Sequence, residues 1–207
     1  MSETGYKTTV KKSGTSTAFT DEPMSLVSGN TYQITDAAKR VFDRSQVPTF
    51  KEALVAIPSS DVVSVDYLNG KVTFATPKTG TVYVTGKYMP LAAIGGGHSY
   101  SLSVSREILD DTDYVQANVS ASRHRTSGLL DVAVTIGRLE NLANDFFDLI
   151  EGGQAVVIEI DRGGSGDKAK GWFVLESIAN AGEVATLETG DLSFQLDGDS
   201  RADFSWR

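Results

Sequence analysis

The stretch Arg138–Gly152, RLENLANDFFDLIEG, decides the architecture. Leu139, Leu142, Ala143, Phe146, Phe147 and Ile150 recur at the i, i+3, i+4, i+7, i+8 spacing of a helix with one buried face. Glu140, Asn141, Asn144, Asp145 and Asp148 fall on the other side, and Gly152 and Gly153 follow where a helix stops in a left-handed conformation. The spacing predicts a helix over about 138–151, with Leu139, Leu142, Phe146 and Ile150 facing a core. The segments on either side read as strands. One amphipathic helix among strands predicts a mainly β protein, a β-sandwich with a single flanking helix.

Four segments carry an unusual form of alternation. Ser99–Ser105 sets Tyr100, Leu102 and Val104 against four serines. Val115–Ser122 sets Val115, Ala117, Val119 and Ala121 against Gln116, Asn118, Ser120 and Ser122. Leu130–Ile136 alternates four apolar residues with Asp131, Ala133 and Thr135. Leu192–Asp197 alternates Leu192, Phe194 and Leu196 with Ser193, Gln195 and Asp197. Period two places each set on one face of a strand. Solvated strand faces ordinarily carry Lys, Glu and Arg, and these carry almost none. An ordinary outer face remains the bland alternative.

Earlier in the chain, residues 1–30 are rich in Ser, Thr, Gly and Lys, and suggest an N-terminal arm at about 1–20 that orders only on docking. Thr31–Ile34 and Lys39–Phe42 read as short extended pieces. Asp36 either joins them or caps one helical turn through Ala37 and Ala38. Residues 43–60, with Pro48 and Pro58, read as a long loop or protruding hairpin. Val62, Val65 and Tyr67 lead into Asn69-Gly70, a pair suited to a tight hairpin turn, and Val72 and Phe74 alternate on the return. Thr79-Gly80 is a second turn, before a third strand through Val82 and Val84. Gly95-Gly96-Gly97 is a candidate internal boundary within what reads as one domain, 1–207. After the helix, Ala155–Ile160 and Trp172–Ile178 form a hairpin with a Gly-rich tip, and Phe204–Arg207 is a closing strand or a docking arm.

Composition narrows the function. Forty per cent hydrophobic residues and 20 glycines describe a folded chain with many turns. Without cysteine there is no disulfide, thiolate nucleophile or thiolate metal site. No apolar run is long enough to span a bilayer, and the first residues lack a signal-peptide core, so synthesis in a cytoplasm and no membrane partner are expected. Residues 1–60 hold 7 basic and 6 acidic side chains, leaving 12 basic and 21 acidic in the remainder of a chain of net charge −8. That balance disfavours a sequence-reading nucleic-acid binder.

Catalytic signatures are missing. Gly163-Gly164-Ser165-Gly166-Asp167-Lys168 lacks the spacing of a phosphate loop and joins two strands. His98 and His124 are isolated, and Arg123 and Arg125 flank the second. There is no nucleophile elbow, and the run Asp110-Asp111-Thr112-Asp113 reads as solvated surface. No enzyme and no cofactor are expected.

The runs VDYLNGKVTFATPKTGTVYVTGKYMP, around Val62–Met89, and GLLDVAVTIGRLENLANDFF…GDLSFQLDGD, around Gly128–Gly198, resemble the major tail tube proteins of long-tailed bacteriophages. Together they cover roughly half the chain, as a pattern of elements with no invariant motif. The resemblance implies subunits in hexameric rings whose inner sheets join into a barrel. The rings stack into a tube through which DNA is ejected from the virion, with the tape measure protein and other tail proteins as further partners. Under it, Gln116, Asn118, Ser120, Asp131, Thr135, Ser193, Gln195 and Asp197 would line the lumen. A capsid-decoration or head–tail connector protein would share the sandwich style. A carbohydrate-binding sandwich would instead display exposed aromatics.

Overall fold

The computed structural model describes residues 8–94, 99–110, 125–140, 144–162, 168–181, 189–198 and 204–206. The strands are β1 (Thr9–Ser13), β2 (Thr17–Ser28), β3 (Thr31–Ile34), β4 (Thr49–Glu52), β5 (Val55–Ala56), β6 (Val62–Asp66), β7 (Lys71–Phe74) and β8 (Val82–Tyr88). They continue with β9 (Leu91–Ala93), β10 (Ser99–Asp110), β11 (Arg125–Glu140), β12 (Ala155–Asp161), β13 (Lys168–Ala181), β14 (Thr189–Leu196) and β15 (Phe204–Trp206). One α-helix, α1 (Asn144–Gly152), precedes β12. The fold is mainly β, two sheets with a single α-helix among the described residues, as the sequence pattern predicts.

The chain divides into two compact units, the first made of Met1–Ile94, Ala155–Phe173 and Asp197–Arg207, the second of Gly95–Gln154 and Val174–Leu196. The first unit is a sandwich. Its seven-stranded sheet has the order β5-β4-β8-β2-β3-β7-β6, and its other layer runs from the start of β13 through β12 and β1 to β9, with β15 on β13. Alternation in β7 and β8 drives Val72, Phe74, Val82 and Val84 inward. There they join Phe19, Tyr32, Ile34, Phe42 and Phe50 with Val157 and Trp172 from the facing layer, in one buried cluster. The rings of Tyr32 and Phe50 stand 5.7 and 5.6 Å from that of Phe74, within aromatic contact range.

Within the segment 1–20, β1 and the start of β2 form. β1 is internal to its layer, paired with β12 on one side and β9 on the other. Its anchors are polar, which is why no apolar period marks it. Ser13 is buried and its Oγ accepts the Val157 N–H at 2.9 Å. Lys11 Nζ donates to Glu159 at 2.8 Å, and Lys170 ion-pairs with the other oxygen of the same carboxylate at 2.8 Å. Asp36 takes the capping role, accepting the Ala38 N–H at 3.0 Å at the head of a 3-10 turn, Ala37–Lys39. Residues 43–60 contain the hairpin β4–β5, with Ala53 and Leu54 at positive φ and Leu54 and Val55 exposed.

The Asn69-Gly70 turn is wider than the two-residue form expected. Asp66 pairs with Lys71, so Tyr67 to Gly70 form the connection. Tyr67 and Leu68 are buried, and looping them inward removes both side chains from water. Asp66 Oδ1 accepts the Asn69 N–H at 3.0 Å. Only Gly70 takes positive φ, +60°, and a Cβ there would lie 2.7 Å from the Arg40 carbonyl oxygen.

The helix is shorter than 138–151. Residues 138–140 extend β11, where Leu139 and Glu140 pair with Gly190 and Thr189 of β14 beyond an irregularity after Ile136. Ladder hydrogen bonds to β14 win over the helical stripe at that end, and the described helix is Asn144–Gly152. Gly153, φ +57°, follows its last turn. Of the four expected core positions, Phe146 is buried, while Ile150 is 37% exposed in the last turn. Leu139 lies in β11, and Leu142 lies outside the described residues.

Two predictions follow from this packing. Gly70→Ala combines a left-handed backbone with a backbone clash and should cost about 2 kcal/mol or more, seen as a lowered denaturant midpoint. An unchanged midpoint would contradict the turn geometry. Burial pushes the Glu159 carboxyl up, but hydrogen bonds from Lys11 and Lys170 outweigh it and hold the group below the ordinary glutamate range. A carboxyl held low in the folded chain stabilises it above the unfolded-state pKa, and that contribution fades as pH falls through the folded value. Stability should therefore decline below about pH 4.3, less steeply in Glu159→Gln, as measured by urea melts across pH 3–7.

Candidate functional site

The polar face that the sequence analysis singles out belongs to the second unit, where β10, β11 and β14 are consecutive neighbours. In antiparallel pairs, directly opposed residues share a face. Ser101 opposes Thr135, which opposes Ser193. Ser103 opposes Ala133, which opposes Gln195, and Ser105 opposes Asp131. At one end Ser99 opposes Gly137. A Cβ on Gly137 would lie 2.5 Å from Ser99 Oγ and 3.2 Å from Asp191 Oδ1, so those two side chains lean over the glycine. Gln195 Nε2 donates to Glu176 Oε2 of β13 at 3.2 Å, bringing a further carboxylate onto the surface.

The reverse face explains this arrangement. Val132, Val134, Ile136, Leu192 and Phe194 are all 0–1% exposed. Their burial sends the intervening residues outward: Asp131 and Asp191 are exposed, and Thr135, Ser193 and Gln195 half-buried. Ser99–Ser105, Leu130–Gly137 and Asp191–Leu196 contain no lysine or arginine. The surface is thus a field of hydroxyls and one amide with Asp131, Asp191 and Glu176 among them. Such a surface is wetted and mildly anionic. It offers no cations to exchange for the counterions of a polyanion, so a phosphate backbone gains nothing by resting on it.

The register brings together Asp131, Thr135, Ser193 and Gln195 from the expected set. Gln116, Asn118 and Ser120 lie outside the described residues, as do His98 and His124. Asp197 belongs to the first unit, where its carboxylate is ion-paired with Arg44 and its backbone carbonyl accepts Arg44 Nη1 at 3.1 Å. Asp191 and Glu176 are additions made by the structure. Asp191 precedes the alternating run read from Leu192, and Glu176 enters through one hydrogen bond from β14, so no periodicity in its own segment marks it. Among the described residues no group of three or more His, Asp or Glu could hold a metal ion. No described helix is long and apolar enough to cross a membrane.

No family model matches the chain, and no curated protein does. Among solved structures, a chain from the virion of a native gene transfer agent particle is similar, with a TM-score of 0.46 and 17% identity. That match covers 56% of this chain and 88% of the other.

The two faces should respond differently to truncation. Phe194→Ala should cost about 3–5 kcal/mol, while Ser103→Ala and Gln195→Ala should stay within about 0.5 kcal/mol of the parent. Chemical denaturation of the three variants checks this, and comparable losses on both faces would contradict the assignment of sides.

Proposed function

We propose that this chain is a structural virion protein, the tail tube subunit of a long-tailed phage, whose copies form hexameric rings stacked into a channel for DNA. The observation that carries this reading is the polar face of Ser99–Ser105, Leu130–Gly137 and Asp191–Leu196, without lysine or arginine, backed by the buried row Val132, Val134, Ile136, Leu192 and Phe194. A conduit for DNA needs a wall to which phosphates do not adhere. In this reading Asp131, Thr135, Ser193 and Gln195 line the lumen, with Ser99, Ser101, Ser103 and Ser105 beside them.

Two features support assembly. β10 is twelve residues long and, among the described residues, ends the strand order with β11 as its neighbour, and a long edge strand is a template for pairing with another copy. Closing such edges around a ring removes them. Leu54 and Val55 of the β4–β5 hairpin are 62% and 71% exposed, an apolar tip suited to a contact between rings. The tape measure protein and other tail proteins would be the remaining partners.

Negative-stain microscopy of the purified protein should show six-fold rings or stacked tubes; a monodisperse monomer at all concentrations would overturn the reading. The lumen assignment has a sharper test. Thr135→Lys with Gln195→Lys, repeated around every ring, would create basic bands that grip phosphates. Virions carrying the pair should release DNA several-fold more slowly at low salt and recover at high salt. Normal release at both, with normal tails, would remove these strands from the lumen.

A further inference from the structure

The first unit contains a cavity of about 560 Å³ into which five cationic residues converge: Lys11, Arg40, Lys71, Lys168 and Lys170, around the single acidic lining residue Glu159. They come from parts of the chain up to about 160 residues apart, in a protein of net charge −8. Nearby carboxylates neutralise only part of this charge. Lys11 and Lys170 share Glu159, and Lys168 pairs with Asp161 at 2.7 Å. Counting also Asp66, which opposes Lys71 in the β6–β7 register, two positive charges remain in excess among the described residues.

The basic groups are held in place. Lys170 Nζ also donates to the Leu68 carbonyl at 3.2 Å, and Arg40 Nε donates to the Ile34 carbonyl at 3.3 Å. An ammonium or guanidinium already positioned by the fold loses less entropy on meeting an anion. Ala37, Ala38 and Leu91 supply apolar wall between the charges. The arrangement fits an oxyanion carried on a partly apolar body.

The same chain carries such a body. On α1, Asp148 and Glu151 are both exposed and one turn apart, beside the exposed rim of Phe147 and Ile150. We propose that the basic cavity is an oxyanion site whose occupant in the assembled protein is the acidic face of α1 from a neighbouring copy. Charge complementarity carries the choice of occupant: in a net-negative chain, a local excess of positive charge selects an acidic surface and disfavours others. The inference rests on self-assembly from the proposed function, but not on the lumen or on DNA.

The test is a charge swap read by analytical ultracentrifugation, with melting curves to confirm folding. Arg40→Glu with Lys71→Glu should weaken self-association at least about tenfold, and so should Asp148→Lys with Glu151→Lys. Mixing the two reversed proteins should restore association, and wild-type association should fall with added salt. If the first pair disturbs the fold, Arg40→Gln with Lys71→Gln gives the same direction with a smaller effect. Inorganic phosphate titrated into dilute wild-type protein should raise its melting temperature, and the Arg40 and Lys71 variants should lose that response. Phosphate stabilisation without any effect of the α1 reversals would overturn the α1 occupant, and no response to phosphate or to either reversal would overturn the site. Rings that form normally in both reversed proteins would sink this inference and leave the tube reading standing. Salt-sensitive association without rings would do the opposite.

Discussion

Burying Val132, Val134, Ile136, Leu192 and Phe194 settles where every other side chain of β11 and β14 must go. A strand has only two faces, and a slip of one residue would exchange them, exposing five large apolar groups at roughly 1.5–3 kcal/mol each. The hydroxyls, the amide and the carboxylates of the outer face are therefore positioned by the energetics of the inner one. Ser101, Thr135 and Ser193 stand in one row because Leu102, Val134 and Phe194, one residue on, lie in the row behind. A surface set in this way can be tuned in chemistry without touching stability, as long as replacements stay small or solvated.

In the first unit a polar constraint sits beside the apolar one. Glu159 is 4% exposed, and an isolated carboxylate at such a site would be strongly disfavoured. Lys11 from β1 and Lys170 from β13 supply the compensating charge from either side of β12, so three strands are tied through one carboxylate. Removing one partner would leave the others buried with incomplete compensation, which costs more than the pair itself contributes. This cluster also forms part of the wall of the basic cavity, so a structural ion network and a candidate docking site share residues.

Local pattern made much of this legible. The hairpin alternation in Val72–Phe74 and Val82–Val84, the helix stop at Gly152-Gly153 and the two-faced segments around Asp131–Thr135 and Ser193–Gln195 are all written within windows of fewer than ten residues. The helix start was obscured because Leu139 satisfies a helical stripe and a strand ladder equally well, and only the presence of β14 alongside decides between them. β1 was hidden for a different reason: Thr9–Ser13 has two lysines and two hydroxyl residues among its five, and no apolar period announces a strand.

The sequence by itself determined that the protein is mainly β with an amphipathic helix before β12, and that several strand segments present a small polar face without cations. Period two and period 3.6 are properties of neighbouring residues, and they survive in a one-dimensional string. Tertiary structure alone decided that Lys11 meets Glu159 across 148 positions, that Tyr67 and Leu68 fold inward as a loop, and that five scattered cations share one cavity. Those pairings depend on which strands lie side by side. A charge carries no mark of its distant partner, whereas an apolar residue declares its face through the spacing of the residues next to it.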